Sequence, residues 1–292
     1  MQSRTNKRGS EEHYIKNQHL KLEELKKKAR QFWLDTRSYI FREDIPPYPH
    51  PEFHVSQLKH DTKREALCQI WKDGGFKDPY SEELDQLPLV WWSLAVKFQD
   101  IQSAETRLLE TTFPKQTEDS VLKKFATSPA FSEKSRYGSY RFTFPLEEVL
   151  TAYSEQFCGG EDPVFRVFKT SLYKQEVMYA VLVHRPEDEK DFEKYPKLPA
   201  ADDMDAVCAY SDGHFIWRAE AMCGSHWFEL EQDEENKQTV IKGPFGNSYY
   251  YVWDHVAVAL HVKNDEVPSL FLLQEPYLLF IILKQELLAA LR

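Results

Sequence analysis

At 292 residues, with 42% hydrophobic and 14% aromatic side chains, the chain has a globular composition that excludes disordered and fibrous classes. Its net charge of −10 is uneven: residues 1–42 carry 11 Lys/Arg against 5 Asp/Glu, or +6, which leaves −16 for the remainder. An acidic body argues against nucleic acid as a partner, because phosphate backbones demand clustered cations.

The four cysteines (Cys68, Cys158, Cys208, Cys223) show no CxxC or regular spacing, so neither a disulfide framework nor a zinc module is signalled. The N-terminal region is charged and lacks an apolar secretory core, and no Asn-x-Ser/Thr acceptor occurs. These features predict an intracellular protein, cytoplasmic or nuclear, with no metal and no cofactor.

In chain order, residues 1–10 are polar and read as a disordered terminus. Residues 11–130 read as a helical region. Its first helix is expected from Glu11 to about Ile40, where Leu22, Leu25, Ala29 and Phe32 recur at helical spacing. A Pro-rich stretch at 45–51 then reads as a stiff linker. A second helix is expected over Ser56–Trp71, ended by Asp73-Gly74-Gly75, and a third from Pro88 to about Thr112.

From 136 to 263 the period changes to that of an antiparallel sheet domain. Tyr140, Phe142 and Phe144 alternate as in a half-buried strand, Leu146–Phe157 reads as a short helix, and Val177–His184 as a strand buried on both faces. Asp212-Gly213 and Gly224-Ser225 are two-residue hairpin signals that fold Ala206–Gln232 into a three-stranded meander. The last strand runs from Tyr250 to Val262, with Val256, Val258 and Leu260 on one side and His255, Ala257 and His261 on the other. The apolar tail at 267–292 is broken by Pro276 and by Lys284-Gln285-Glu286, so no membrane span is expected. The fold class expected is therefore α+β: a helical N-terminal half followed by a mainly antiparallel sheet of about six strands.

Chemistry-bearing residues are sparse. The meander register sets Glu220 opposite Glu229, with Arg218 beside them. Carboxylates that close raise one another's pKa, which makes these three the candidates for a hydrolase. Trp217, Phe228 and Trp253 are candidates for lining an apolar pocket in the sheet, as a small-molecule or lipid-type binding domain would need. His255 and His261 lie about 20 Å apart on one strand and cannot share a metal. No nucleophile elbow, P-loop or dinucleotide fingerprint occurs. Missing catalytic signatures leave a non-enzymatic adaptor or scaffold, binding a protein partner through the N-terminal helices and the tail, as the leading expectation. The pocket and the hydrolase are its alternatives.

Overall fold

The computed structural model describes residues 1–5, 11–32, 39–41, 49–78, 87–112, 122, 125–126, 128–131, 135–221, 229–233, 238–242 and 252–262. Its strands are β1 (Gln2–Thr5), β2 (Glu11–Lys16), β3 (Glu52–Val55), β4 (Gln57–Thr62), β5 (Leu89–Leu94), β6 (Tyr140–Pro145) and β7 (Val164–Tyr173). They continue with β8 (Glu176–His184), β9 (Cys208–Ser211), β10 (His214–Arg218), β11 (Glu229–Asp233), β12 (Gln238–Lys242) and β13 (Trp253–His261). The helices are α1 (Leu22–Gln31), α2 (Arg64–Asp73), α3 (Phe98–Thr112), α4 (Leu146–Phe157) and α5 (Glu189–Phe192).

Eight strands form one sheet in the order β1-β2-β7-β8-β13-β5-β4-β6. Its pairings are antiparallel except β8 with β13, which are parallel, so the sheet is mixed. β3, β10 and β9 make a separate three-stranded sheet, and β11 pairs with β12. This corrects the expected helical N-terminal half and six-stranded antiparallel sheet: the five described helices are scattered among strands, and β1 to β5 all fall in the N-terminal half.

The reasons for the correction are local ambiguity and distant pairing. Glu11–Lys16 and Gln57–Thr62, expected to begin helices, are strands, and Gln2–Thr5 pairs with the former instead of fraying. Leu89–Leu94 is a near-continuous apolar run, which has no period to separate strand from helix. Pairing with β13 on one side and β4 on the other decides it. Where the signal is local, sequence and structure agree. Leu146–Phe157 is a helix and Tyr140–Pro145 a strand, and α2 ends at Gly74 with φ 70°.

The β9–β10 hairpin turns at Asp212 (φ 49°) and Gly213 (φ 74°), the two positive angles of a type I′ turn. The third strand of the expected meander is replaced. β10 takes β3 as its second neighbour, with Trp217 opposite Phe53 and Arg218 opposite Glu52. Gly224-Ser225, Phe228, most of the 45–51 stretch and the 267–292 tail lie outside the described residues.

One face of the large sheet carries the main core. Val177, Tyr179 and Val181 of β8 and Val256, Val258 and Leu260 of β13 join Phe53 and Trp217 of the small sheet, Leu25 of α1, Ala104 of α3 and Val149 of α4. The cluster thus draws on both regions that the sequence separates at 130–136. Among the described residues the opposite face is covered at one end, where Phe192 and Tyr195 sit on Ala180, Leu182, Ala259 and Phe168. Arg166, 3% exposed, pins that cover: its Nη1 donates to the Tyr195 carbonyl, its Nη2 to Glu189 (2.5 Å) and its Nε to His184 Nε2 (2.9 Å). Among the described residues no helix is long and apolar enough to cross a membrane.

Candidate functional site: a cation-lined cavity on the open sheet face

The uncovered end of that second face is a cavity of about 770 Å³. Strand register fixes its floor. Met178 of β8 has Ser171 of β7 on one side and His255 of β13 on the other, and all three line the cavity. One row along, Lys169, Ala180, Ala257, Ser93 and Lys59 succeed one another across five strands. Small side chains at the middle of that row leave the volume empty. Arg4 of β1 and Asp61 of β4 both line this cavity although their strands stand six places apart in the sheet. Flat, they would be about 29 Å apart, so the sheet curves around the space.

The lining is basic in an acidic protein: Arg4, Lys16, Lys59, Arg136, Lys169 and Lys194 against Glu12, Asp61 and Glu176. Each carboxylate is already paired, Glu12 with Arg4 (2.7 Å), Asp61 with Arg141 (2.6 Å) and Glu176 with Arg136. The four lysines have no ion-pair partner among the described residues.

Lys169 is the extreme case. It is 5% exposed, and its ammonium rests 5.5 Å from the Tyr14 ring, 5.5 Å from Trp91 and 5.6 Å from Phe168. Ring faces attract a cation but do not replace a hydrogen-bond acceptor. Burial, helped by Arg4 and Lys16 nearby, pushes its pKa down to about 8. Ser171, two residues on along the same face, is 2% exposed and its hydroxyl has no hydrogen-bond partner. A cation without an ion-pair partner among the described residues and a hydroxyl without a hydrogen bond thus stand side by side on β7, where almost all buried polar groups in proteins are satisfied. Across the floor Lys59 is also pushed down to about 8, by burial and then by Arg141, but it donates to the Ala130 carbonyl at 3.0 Å.

Opposite the lysine stands a carboxylate–imidazole pair. His255 Nε2 meets Glu176 Oε1 at 2.7 Å, and the residues are 8% and 3% exposed. Arg136 crosses from the loop before β6 to pair with Glu176, and its guanidinium lies 4.9 Å from the Tyr173 ring and 5.0 Å from Tyr137. That loop is set by Gly138 (φ 152°), where a Cβ would collide with the Thr62 carbonyl.

The residues singled out from sequence lie elsewhere. Glu220 accepts the Leu22 backbone N–H (3.1 Å) and so caps the start of α1. Glu229 stands opposite Lys242 in the β11–β12 pair, so the expected Glu220–Glu229 pairing is not formed. Arg218 meets Glu52 (2.8 Å) and donates to the carbonyls of Ala201, Asp203 and Ala206, tying a loop to β10. Trp217 is sealed in the core against Phe53 and Phe131. Trp253 belongs to the same core, with its ring 5.2 Å from His255. Trp217 is therefore core on the far side of the sheet from the cavity, whereas Trp253, opposite Glu176 on β8, stands on the cavity's side of β13 but outside its lining.

Lys169 and Ser171 had one available signal, polar residues inside a strand that is buried along almost its whole length. A β-bulge between Val167 and Lys169 hides it, because the shifted phase puts Arg166 and Lys169 on one face although they are three residues apart. Among the described residues no cluster of His, Cys, Asp or Glu is arranged to hold a metal. No protein-family model, curated protein or solved structure matches the chain.

Proposed function

We propose that the protein binds a small organic anion in the cavity on the open face of its large sheet. The observation that carries this reading is the Lys169 ammonium, buried among three rings with no ion-pair partner among the described residues, the nearby Glu12 being paired with Arg4. A buried unpaired charge costs several kcal/mol (order of magnitude), and an anionic ligand that also accepts from Ser171 would offset that cost. Charged groups border the space on β1, β2, β4, β7 and β8, which favours an anionic ligand over an uncharged acyl chain. The adaptor reading drawn from the sequence leans on the 267–292 tail, outside the described residues, and the hydrolase reading on a register with Glu220 facing Glu229, whereas Glu229 faces Lys242 in the β11–β12 pair.

Calorimetric titration with benzoate and with uncharged benzamide tests the proposal. Benzoate is expected to bind at least tenfold more tightly, and Lys169→Met to erase the difference. Equal affinity for the two in the unaltered protein would overturn it.

A further inference from the structure

The anion site has a second pole, and the spacing between the two poles defines the ligand. Ser171 and His255 flank Met178 in one row, two strands apart, which places their Cα atoms about 9–10 Å from one another. A hydrogen bond at each end takes about 3 Å, so the gap between the poles accepts one substituted ring. The floor of that gap is Met178 on β8, and Trp91 and Phe168 stand to one side with their rings 6.2 Å apart.

His255 presents a defined atom to this gap. Glu176 accepts from Nε2 at 2.7 Å, so that in the neutral imidazole Nδ1 is the acceptor, and no described residue donates to it. Arg136 already serves Glu176 as counter-ion, so the pair does not need a second cation from the ligand. The atom missing opposite Nδ1 is a neutral donor.

We propose that the ligand is an aromatic acid bearing a hydroxyl or amino group one ring-width from its anionic group. It lies across β8 with the anion on Lys169 and Ser171 and the donor on His255 Nδ1. The inference rests on the anion site proposed above and adds the donor to it.

The test compares benzoate, 4-hydroxybenzoate and 4-methoxybenzoate on the full chain. A site built to accept a hydroxyl proton rejects analogues that lack it, so 4-hydroxybenzoate is expected to bind at least tenfold more tightly than either of the others. His255→Phe is expected to abolish that gain, so that 4-hydroxybenzoate binds no more tightly than benzoate to the variant. Because His255 is buried, the same interaction is also read in the unaltered protein. The ¹⁵N resonance of His255 Nδ1 is expected to move with 4-hydroxybenzoate and to stay in place with 4-methoxybenzoate. If the hydroxyl confers no gain, or the resonance responds equally to both, the inference is overturned while a benzoate preference over benzamide keeps the anion site. If none of the three acids binds, both proposals fall.

Discussion

Lys169 is the residue at which stability and function pull apart. Its pKa, about 8 against the usual 10.5, means the folded chain holds this proton less tightly than the unfolded chain. The penalty is therefore full below about pH 8 and is relieved as the pH climbs toward 10.5. Lys169→Met removes the buried charge and keeps the stem. The variant is expected to be more stable than the parent by on the order of 2 kcal/mol at pH 7, with the gap closing between pH 8 and 10.5 in urea titrations. The ligand needs the ammonium, so benzoate affinity is expected to hold below about pH 8 and to fall above it, read by calorimetry from pH 6 to 10. A flat affinity profile would show that another cation holds the anion. Glu220 illustrates the opposite lesson: as a sequence feature it looks like half of an acid–base pair, whereas its oxygen satisfies a helix N–H.

At the scale of elements, two contacts hold segments of the chain to the sheets. α1 begins at Leu22 with no side-chain cap of its own, and Glu220 reaches in from beyond β10 to supply one. Glu220→Ala is expected to cost roughly 1 kcal/mol, seen as faster hydrogen exchange at the start of α1. Unchanged exchange there would leave the contact without energetic weight. The segment from Arg185 to Leu198 covers one end of the second face and contributes Lys194 and Tyr195 to the cavity wall. Arg166→Met leaves the Tyr195 carbonyl, Glu189 and His184 without their donor. The expected cost is on the order of 3 kcal/mol, with new proteolytic sensitivity confined to residues 186–198. Uniform sensitivity along the chain would point to global unfolding instead.

Asp254 acts on the molecule as a whole, because it joins the end of the small sheet to the large one. It lies on β13, and its carboxylate accepts from Trp217 Nε1 (3.1 Å) and from the backbone of Glu220 (3.1 Å) and Ala221 (2.9 Å). Burial pushes its pKa up to about 7, against the pull of those three donors. A raised carboxyl pKa means the folded state binds the proton more tightly, so this group's stabilisation is complete below about pH 4 and lost as the pH rises through 7. The stability of the parent minus that of Asp254→Asn is expected to fall by on the order of 3–4 kcal/mol between pH 4 and 8. A constant difference in urea titrations across that range would show an ordinary carboxyl.

Some elements follow from the sequence alone because their causes lie within a few residues of one another. The type I′ turn needs only Asp212-Gly213, the Tyr140–Phe157 strand and helix need only a change of period, and the two faces of β13 need only alternation. Among those faces, the His255–Ala257 side was legible as distinct, though not as a binding surface. Tertiary structure decided the rest. β2, β4 and β5 are strands because distant partners satisfy their backbones, and a bulge in β7 turns Lys169 to the same side as Arg166. The candidate site exists only once β7, β8 and β13 are in register, since Ser171 and His255 become neighbours through Met178 and through nothing in the chain between them. Local chemistry sets turns and periods, whereas a cavity is a property of which strands pair and how far the sheet they form must bend.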